Sequence, residues 1–166
     1  MSDTTDGTRT DGTRKIAELA KDIRIGMLTT EAPDGTLVSR PMAQQEVEFD
    51  RDVWLFAERG SRKTEHIAAN PRVAVTLTSN DTWVSLAGTA AIVTDVARKK
   101  ELWNGWVEAW LPQGAESDEV VLIKVTAESG EYWDTAGSKV ASAISFVKAK
   151  VTGERYDGGD NQRVEL

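Results

Sequence analysis

The stretch VWLFAERGSRKTEHIAANPRVAV, residues 53–75, reads as a strand, a turn, a short helix and a second strand. VWLFAERG (53–60) and RVAVTLTS (72–79) carry the β-branched and aromatic residues that suit a pleated, half-buried surface. Between them Ser61 stands at the mouth of the helix, where its side chain is expected to accept an amide hydrogen that lacks an intrahelical partner. Arg62, Lys63 and Thr64 follow. Basic side chains in a first helical turn oppose the helix dipole, for which Asp or Glu is the ordinary choice. A bound phosphate resolves the conflict through free amides, a hydroxyl and two cations. The alternative, a solvated helix start with Arg62 and Lys63 paired to Glu58 or Glu65, stays open on pattern alone. Position favours the anion, because Arg40 lies on the preceding strand and can converge on the same ligand.

Outward from this stretch the punctuation is that of hairpins. IRIGMLTT (23–30) makes a first strand, APDG (32–35) a turn with Pro at its second position, and TLVSRPMAQQEVEF (36–49) a second strand. Pro41 removes a ladder donor from it. The third strand follows an Asp50-Arg51-Asp52 turn; TWVSLAGTAAIV (82–93) pairs with residues 72–79 across Asn80-Asp81, and EVVLIKVTAESGEYWD (119–134) closes the sheet as one strand or as one plus a short second. At least six strands with short turns predict a mainly β fold with short helices, a largely antiparallel barrel whose closure removes its edges. Arg14–Asp22 is expected to be a short helix burying Ile16, Leu19 and Ala20. Residues 96–111 read as another, with Trp103, Trp106 and Trp110 on one face, and a last helix starts at Ser138 and buries Val140, Ile144 and Val147. Residues 1–13 read as a disordered tail, 14–153 as the domain and 154–166 as a polar tail.

The composition narrows the function classes. A chain of 166 residues fits one domain. No apolar run approaches the roughly 20 residues of a membrane span, and the N-terminus MSDTTDGTRTDGTR has no secretory apolar core. With no cysteine, no disulfide framework is available, and a cytoplasmic location is expected. A net charge of -7 argues against nucleic acid and anionic membranes as partners, so any phosphate bound is small and locally recognised. His66 is the only histidine, and with no cysteine beside it no metal site is proposed; a surface or supporting role is expected for it. Asp50 and Asp52 read as turn residues rather than an acid–base pair. No nucleophile elbow, Walker loop or dinucleotide glycine fingerprint stands in its required setting.

Five segments taken in order resemble the flavin-binding split barrels related to pyridoxamine 5'-phosphate oxidase, and among them the general stress protein 26-like branch. They are LVSRPM (37–42), the stretch 53–75, SLAGTAAIV (85–93), ELWNGWVEAWLPQG (101–114) and EYWD (131–134). The resemblance implies a six-stranded antiparallel FMN-binding split barrel with peripheral helices, forming a homodimer with flavin at the subunit interface. It places Ser61, Arg62 and Lys63 on the FMN phosphate, and Ser39, Arg40, Pro41 and Met42 along the ribityl chain and the isoalloxazine. Phe56 and Ala57 are placed near the same ligand, and Trp106 or Trp110 over the flavin from the partner subunit. FMN is the expected cofactor, with FAD also possible. The implied activity is that of an oxidoreductase fed by reduced nicotinamide, another flavin or a deazaflavin, with no catalytic side chain assigned. The rival is a non-catalytic flavin store or sensor in stress. Pyridoxamine phosphate oxidation is not expected, because the tail GGDNQRVEL lacks the arginine–histidine pair of that substrate site.

Overall fold

A computed structural model of the protein describes residues 4–46, 50–135 and 160–166. The elements run α1 (Thr4–Ala20), β1 (Ile25–Glu31), β2 (Leu37–Ala43), β3 (Asp52–Glu58), α2 (Arg62–Ala69), β4 (Arg72–Thr78), β5 (Thr82–Val93), α3 (Val96–Leu102), α4 (Gly105–Trp110), β6 (Val120–Asp134) and β7 (Asp160–Glu165). All strand pairings are antiparallel, in the order β2-β1-β4-β5-β6-β3, with β7 added to β6. The two ends of that path meet where Gln44 bridges Leu55 and the Gln45 amide donates to the Trp54 carbonyl at 3.0 Å. Among the described residues the barrel therefore closes over a short seam and is split beyond it.

Turn chemistry sets the first hairpin. The Gly35 amide donates to the Ala32 carbonyl and Gly35 has a φ of 85°, so Pro33-Asp34 forms the turn and glycine takes the left-handed position that follows. Pro41 is tolerated because, apart from the Gln44 bridge, the described part of β2 pairs only with β1. Strand β6 is continuous, and one of its edges is shared: Val120–Thr126 pairs with β3, and Ser129–Asp134 pairs with β7. Alternate residues of the strands fill the barrel with Leu28, Val53, Leu55, Val75, Leu77, Val84, Leu86, Ile123 and Val125. A second cluster, Phe56, Leu102, Val107, Leu111, Val120 and Leu122, lies under α3 and α4.

Three expectations are corrected. The seventh strand comes from the supposed polar tail: β7 is held by ladder bonds to β6, by Val164 and Leu166 in the core, and by the Tyr132 hydroxyl donating to Gln162. The N-terminal helix begins at Thr4, not Arg14, which makes most of the supposed loose tail helical. Gly12 packs so closely on β7 that a Cβ there would lie 2.6 Å from a Val164 methyl. Both termini thus gain tertiary burial that their polar composition hides. The third correction concerns residues 96–111, which form two helices. Trp103 ends α3 in an extended conformation and Asn104 caps α4, its Oδ1 accepting from the Trp106 and Val107 amides at 3.1 and 3.2 Å. The helix expected from Ser138 lies outside the described residues.

Candidate functional site

Three cations from two elements converge beside the start of α2. Arg40 comes from the inward row of β2, while Arg62 and Lys63 come from the first turn of α2. Burial lowers the Arg40 pKa, and the nearby Arg62 charge lowers it further. Lys63 is also held below the ordinary lysine value, first by burial and then by Arg40, with Glu58 acting weakly in the opposite sense. None of the three makes an ion pair within 4 Å among the described residues. The alternative of a helix start neutralised by Glu58 or Glu65 is therefore not what the structure contains.

The Ser61 backbone has the extended N-cap conformation, but its hydroxyl caps no amide, contrary to expectation. Its polar neighbour is Thr64 Oγ1, at a long 3.4 Å. Thr64 instead takes the local role, its hydroxyl lying 2.6 Å from both the Arg59 and Ser61 carbonyls. The Ser61 carbonyl receives the Thr64 and Glu65 amides, whereas the Arg62 and Lys63 amides find no protein acceptor among the described residues. Two free amides, a weakly engaged hydroxyl and three unpaired cations surround one corner. This donor set suits a dianionic phosphate.

Behind the corner lies a buried polar chain. One hydrogen of Arg40 Nη1 goes to the Leu28 carbonyl at 3.1 Å and the other to Thr30 Oγ1 at 2.8 Å. Thr30 Oγ1 lies 3.0 Å from His66 Nδ1. Both Thr30 and His66 are buried, which corrects the surface placement considered for the histidine and leaves the supporting one. Thr30 was not anticipated as part of the site. Its signal was the alternation of IRIGMLTT, which sets a hydroxyl on the same inward row as Leu28.

The remaining expected residues do not all face the corner. Strand alternation sets Ser39 and Pro41 on the outer face of β2, with Ser39 Oγ 2.7 Å from Thr29 Oγ1, and sets Arg40 and Met42 on the inner face. Phe56 is buried under α3 and α4 with its ring edge-on to Trp103, at 5.3 Å between centroids. Ala57, on the opposite side of β3, belongs to the barrel core. The three tryptophans do not share one face. Trp103 packs inward, while Trp106 and Trp110 project from α4 at 66% and 80% exposure. A cavity of about 430 Å³ between Ala20, Arg24, Gln44, Gln45 and Asp52 shares no residue with the corner. Its glutamines are already bonded, Gln44 donating to the Ala20 and Ile23 carbonyls and Gln45 accepting from Asn104.

The outer sheet face is the other unfinished surface. The pairings Met27↔Pro41, Met27↔Thr76, Thr76↔Ser85, Thr78↔Trp83 and Trp83↔Trp133 place Ile25, Met27, Trp83 and Trp133 on one side, all four exposed. Ser39 and Pro41 lie on the same side. No helix among the described residues is long and apolar enough to cross a membrane.

Comparison with known proteins agrees with this architecture. The sequence profile described as "Pyridoxamine 5'-phosphate oxidase like" matches residues 11–157. The chain is 25% identical over 139 residues to protein bli-3 of Neurospora crassa, an alignment covering 77% of this chain and 66% of that relative, so it spans just under two thirds of the curated relative's length. A protein from Jannaschia sp. CCS1 described as a general stress protein 26 superposes with a TM-score of 0.78 at 26% identity, over 95% of this chain and 99% of that one. The general stress FMN/FAD binding protein of Xanthomonas citri gives a TM-score of 0.66 at 25% identity, over 78% and 92% of the two chains.

Proposed function

Since the chain belongs to the pyridoxamine 5'-phosphate oxidase-like family, we propose that it binds flavin as FMN, with the phosphate in the Arg40, Arg62 and Lys63 corner. The observation that carries this reading is the set of three cations, Arg40 repelled by both Arg62 and Lys63, with no ion pair among the described residues, beside two free amides. Such an arrangement is unfavourable without an anion and favourable with one. A likeness to an FMN/FAD-binding stress protein supports the same cofactor class. Bound flavin supplies hydride exchange with a small acceptor, replenished by reduced nicotinamide, another flavin or a deazaflavin, and the protein works as an oxidoreductase of the general stress type. This chain's own part is to hold the phosphate, direct the ring along β2 and limit its exposure.

The test is a titration of FMN, FAD, riboflavin and inorganic phosphate into flavin-free protein, followed by tryptophan quenching across a pH series. FMN is expected to bind far more tightly than riboflavin. Its affinity should fall as pH rises through the depressed pKa of Lys63, since phosphate binds the charged amine and binding must then take up a proton. Substituting Lys63→Arg should flatten that fall. Equal affinities for FMN and riboflavin at every pH contradict the phosphate corner.

The outer sheet face supports a homodimer, with the second copy covering Ile25, Met27, Trp83 and Trp133. On this reading Ser39 and Pro41 approach the interface, and Trp106 or Trp110 of the partner copy covers the flavin. Dilution below the dimerisation constant should then release FMN, and Trp83→Glu should yield monomer with weakened binding. A monomer holding FMN with undiminished affinity excludes a site shared between subunits. A second reading, a flavin store or sensor without turnover, is favoured by one observation: the sole histidine is buried behind Thr30 and offers no open acid or base. Rapid reoxidation of reduced protein by a defined acceptor separates the enzyme from the store.

A further inference from the structure

We infer that Thr30 is a positioning residue of the phosphate corner: its buried hydroxyl, bonded to Arg40 on one side and His66 on the other, sets the free edge of the Arg40 guanidinium toward the ligand. The inference rests on the reading of the corner as a flavin-phosphate site.

A hydroxyl at 1% exposure in a barrel strand is unfavourable unless bonded, and an apolar β-branched residue fills such a position without that penalty. Here the hydroxyl is bonded twice. Arginine only donates, so Thr30 Oγ1 accepts from Arg40 Nη1 at 2.8 Å. The same oxygen lies 3.0 Å from His66 Nδ1, and which of the two donates follows the tautomer of the imidazole. Both hydrogens of Arg40 Nη1 are consumed, one by Thr30 and one by the Leu28 carbonyl at 3.1 Å. Nε and Nη2 have no protein partner among the described residues. The guanidinium is a rigid planar fork, so holding Nη1 also aims the opposite Nε–Nη2 edge, which is the edge suited to two-point recognition of a phosphate.

The chain of bonds also joins the elements that build the corner. Arg40 lies on β2, Thr30 on β1, and His66 on α2 one helical turn beyond Arg62. Without an anion, Arg40 is repelled by Arg62 and Lys63. Thr30 opposes that drift by anchoring the guanidinium to β1 and, through His66, to the helix that carries the other two cations. The ligand then meets donors already in place, and less of its binding energy is spent on ordering them.

The experiment compares full-length wild type with Thr30→Val, which keeps the shape and removes the hydroxyl, and Thr30→Ser, which keeps the hydroxyl. FMN and riboflavin are titrated into each by tryptophan quenching, with folding checked by circular dichroism and thermal melting. Loss of the anchor is expected to raise the FMN dissociation constant about tenfold in T30V, with riboflavin changed by less than about twofold and T30S restored to near wild type. Should T30V not fold, Thr30→Ala carries the same expectations. Wild-type FMN affinity in T30V overturns the inference, as does an equal loss for FMN and riboflavin or an equal loss in T30V and T30S. Wild-type protein that already fails to distinguish FMN from riboflavin overturns the phosphate corner itself, a different outcome seen before any variant is made.

Discussion

Replacing Arg62 and Lys63 together by alanine is expected to weaken FMN binding on the order of a hundredfold or more, while riboflavin binding changes little. Each side chain offers a charge-assisted hydrogen bond to the phosphate, worth about 1.5–3 kcal/mol when the partner is charged. The two losses do not simply add, because the cations also repel Arg40, and removing them relieves that strain on the free protein. Riboflavin carries the same ring and ribityl chain without the phosphate, which makes it the internal control for general damage to the pocket. Parallel titrations of the two ligands into both proteins decide the matter. A comparable loss for both ligands places the phosphate elsewhere.

Substituting Gly88 by alanine is expected to be the most damaging single methyl group in the barrel. A Cβ there would lie 2.0 Å from the Thr126 carbonyl oxygen and 2.9 Å from the Ala127 Cα, both backbone atoms of the neighbouring strand. The β5–β6 ladder shifts register between Ala87 and Gly88, and the missing side chain lets β6 cross at that point. Overpacking against movable side chains costs about 1–3 kcal/mol, and against paired backbone the upper end or beyond is expected. For a chain of this size that corresponds to a melting temperature lower by roughly 6–12 °C, taking about 2–4 °C per kcal/mol. Thermal denaturation of Gly88→Ala against wild type tests it, and an unchanged midpoint means that the two strands do not approach as described. Gly130→Ala is a useful contrast, since its Cβ would meet the end of the Ile16 side chain, which can turn aside.

The contrast between these glycines separates what is local from what is not. Strands β3, β4 and β5 were legible because alternation and turn residues act over a few positions: TWVSLAGTAAIV is β5 as a whole, and the Ala32–Gly35 turn forms where Pro and Asp-Gly predict it. The short helix with Arg62 and Lys63 at its start was legible for the same reason. The position of Arg40 on the preceding strand likewise put it within reach of that helix start, while the resemblance set it along the ribityl chain.

What stayed hidden depends on contacts between distant residues. Polar composition correctly denies the two termini an independent core, yet Gly12 and Val164 bury one another and make α1 and β7 ordered parts of the fold. Helical periodicity cannot show that Asn104 bonds Gln45 and restarts the helix, and so separates Trp103 from Trp106 and Trp110. Lys99 is 1% exposed, donating to the Ser117 and Val120 carbonyls, in a position that sequence pattern assigns to solvent. The sequence by itself determined the antiparallel β class, the positions of its main turns and the basic start of α2, because propensity and alternation are properties of neighbouring residues. Only the tertiary structure decided that α1 and β7 belong to the fold, that the inner face of β2 is the one carrying Arg40, and that Thr30 and His66 stand behind it. Those outcomes arise from the packing of segments brought together by the closing of the sheet.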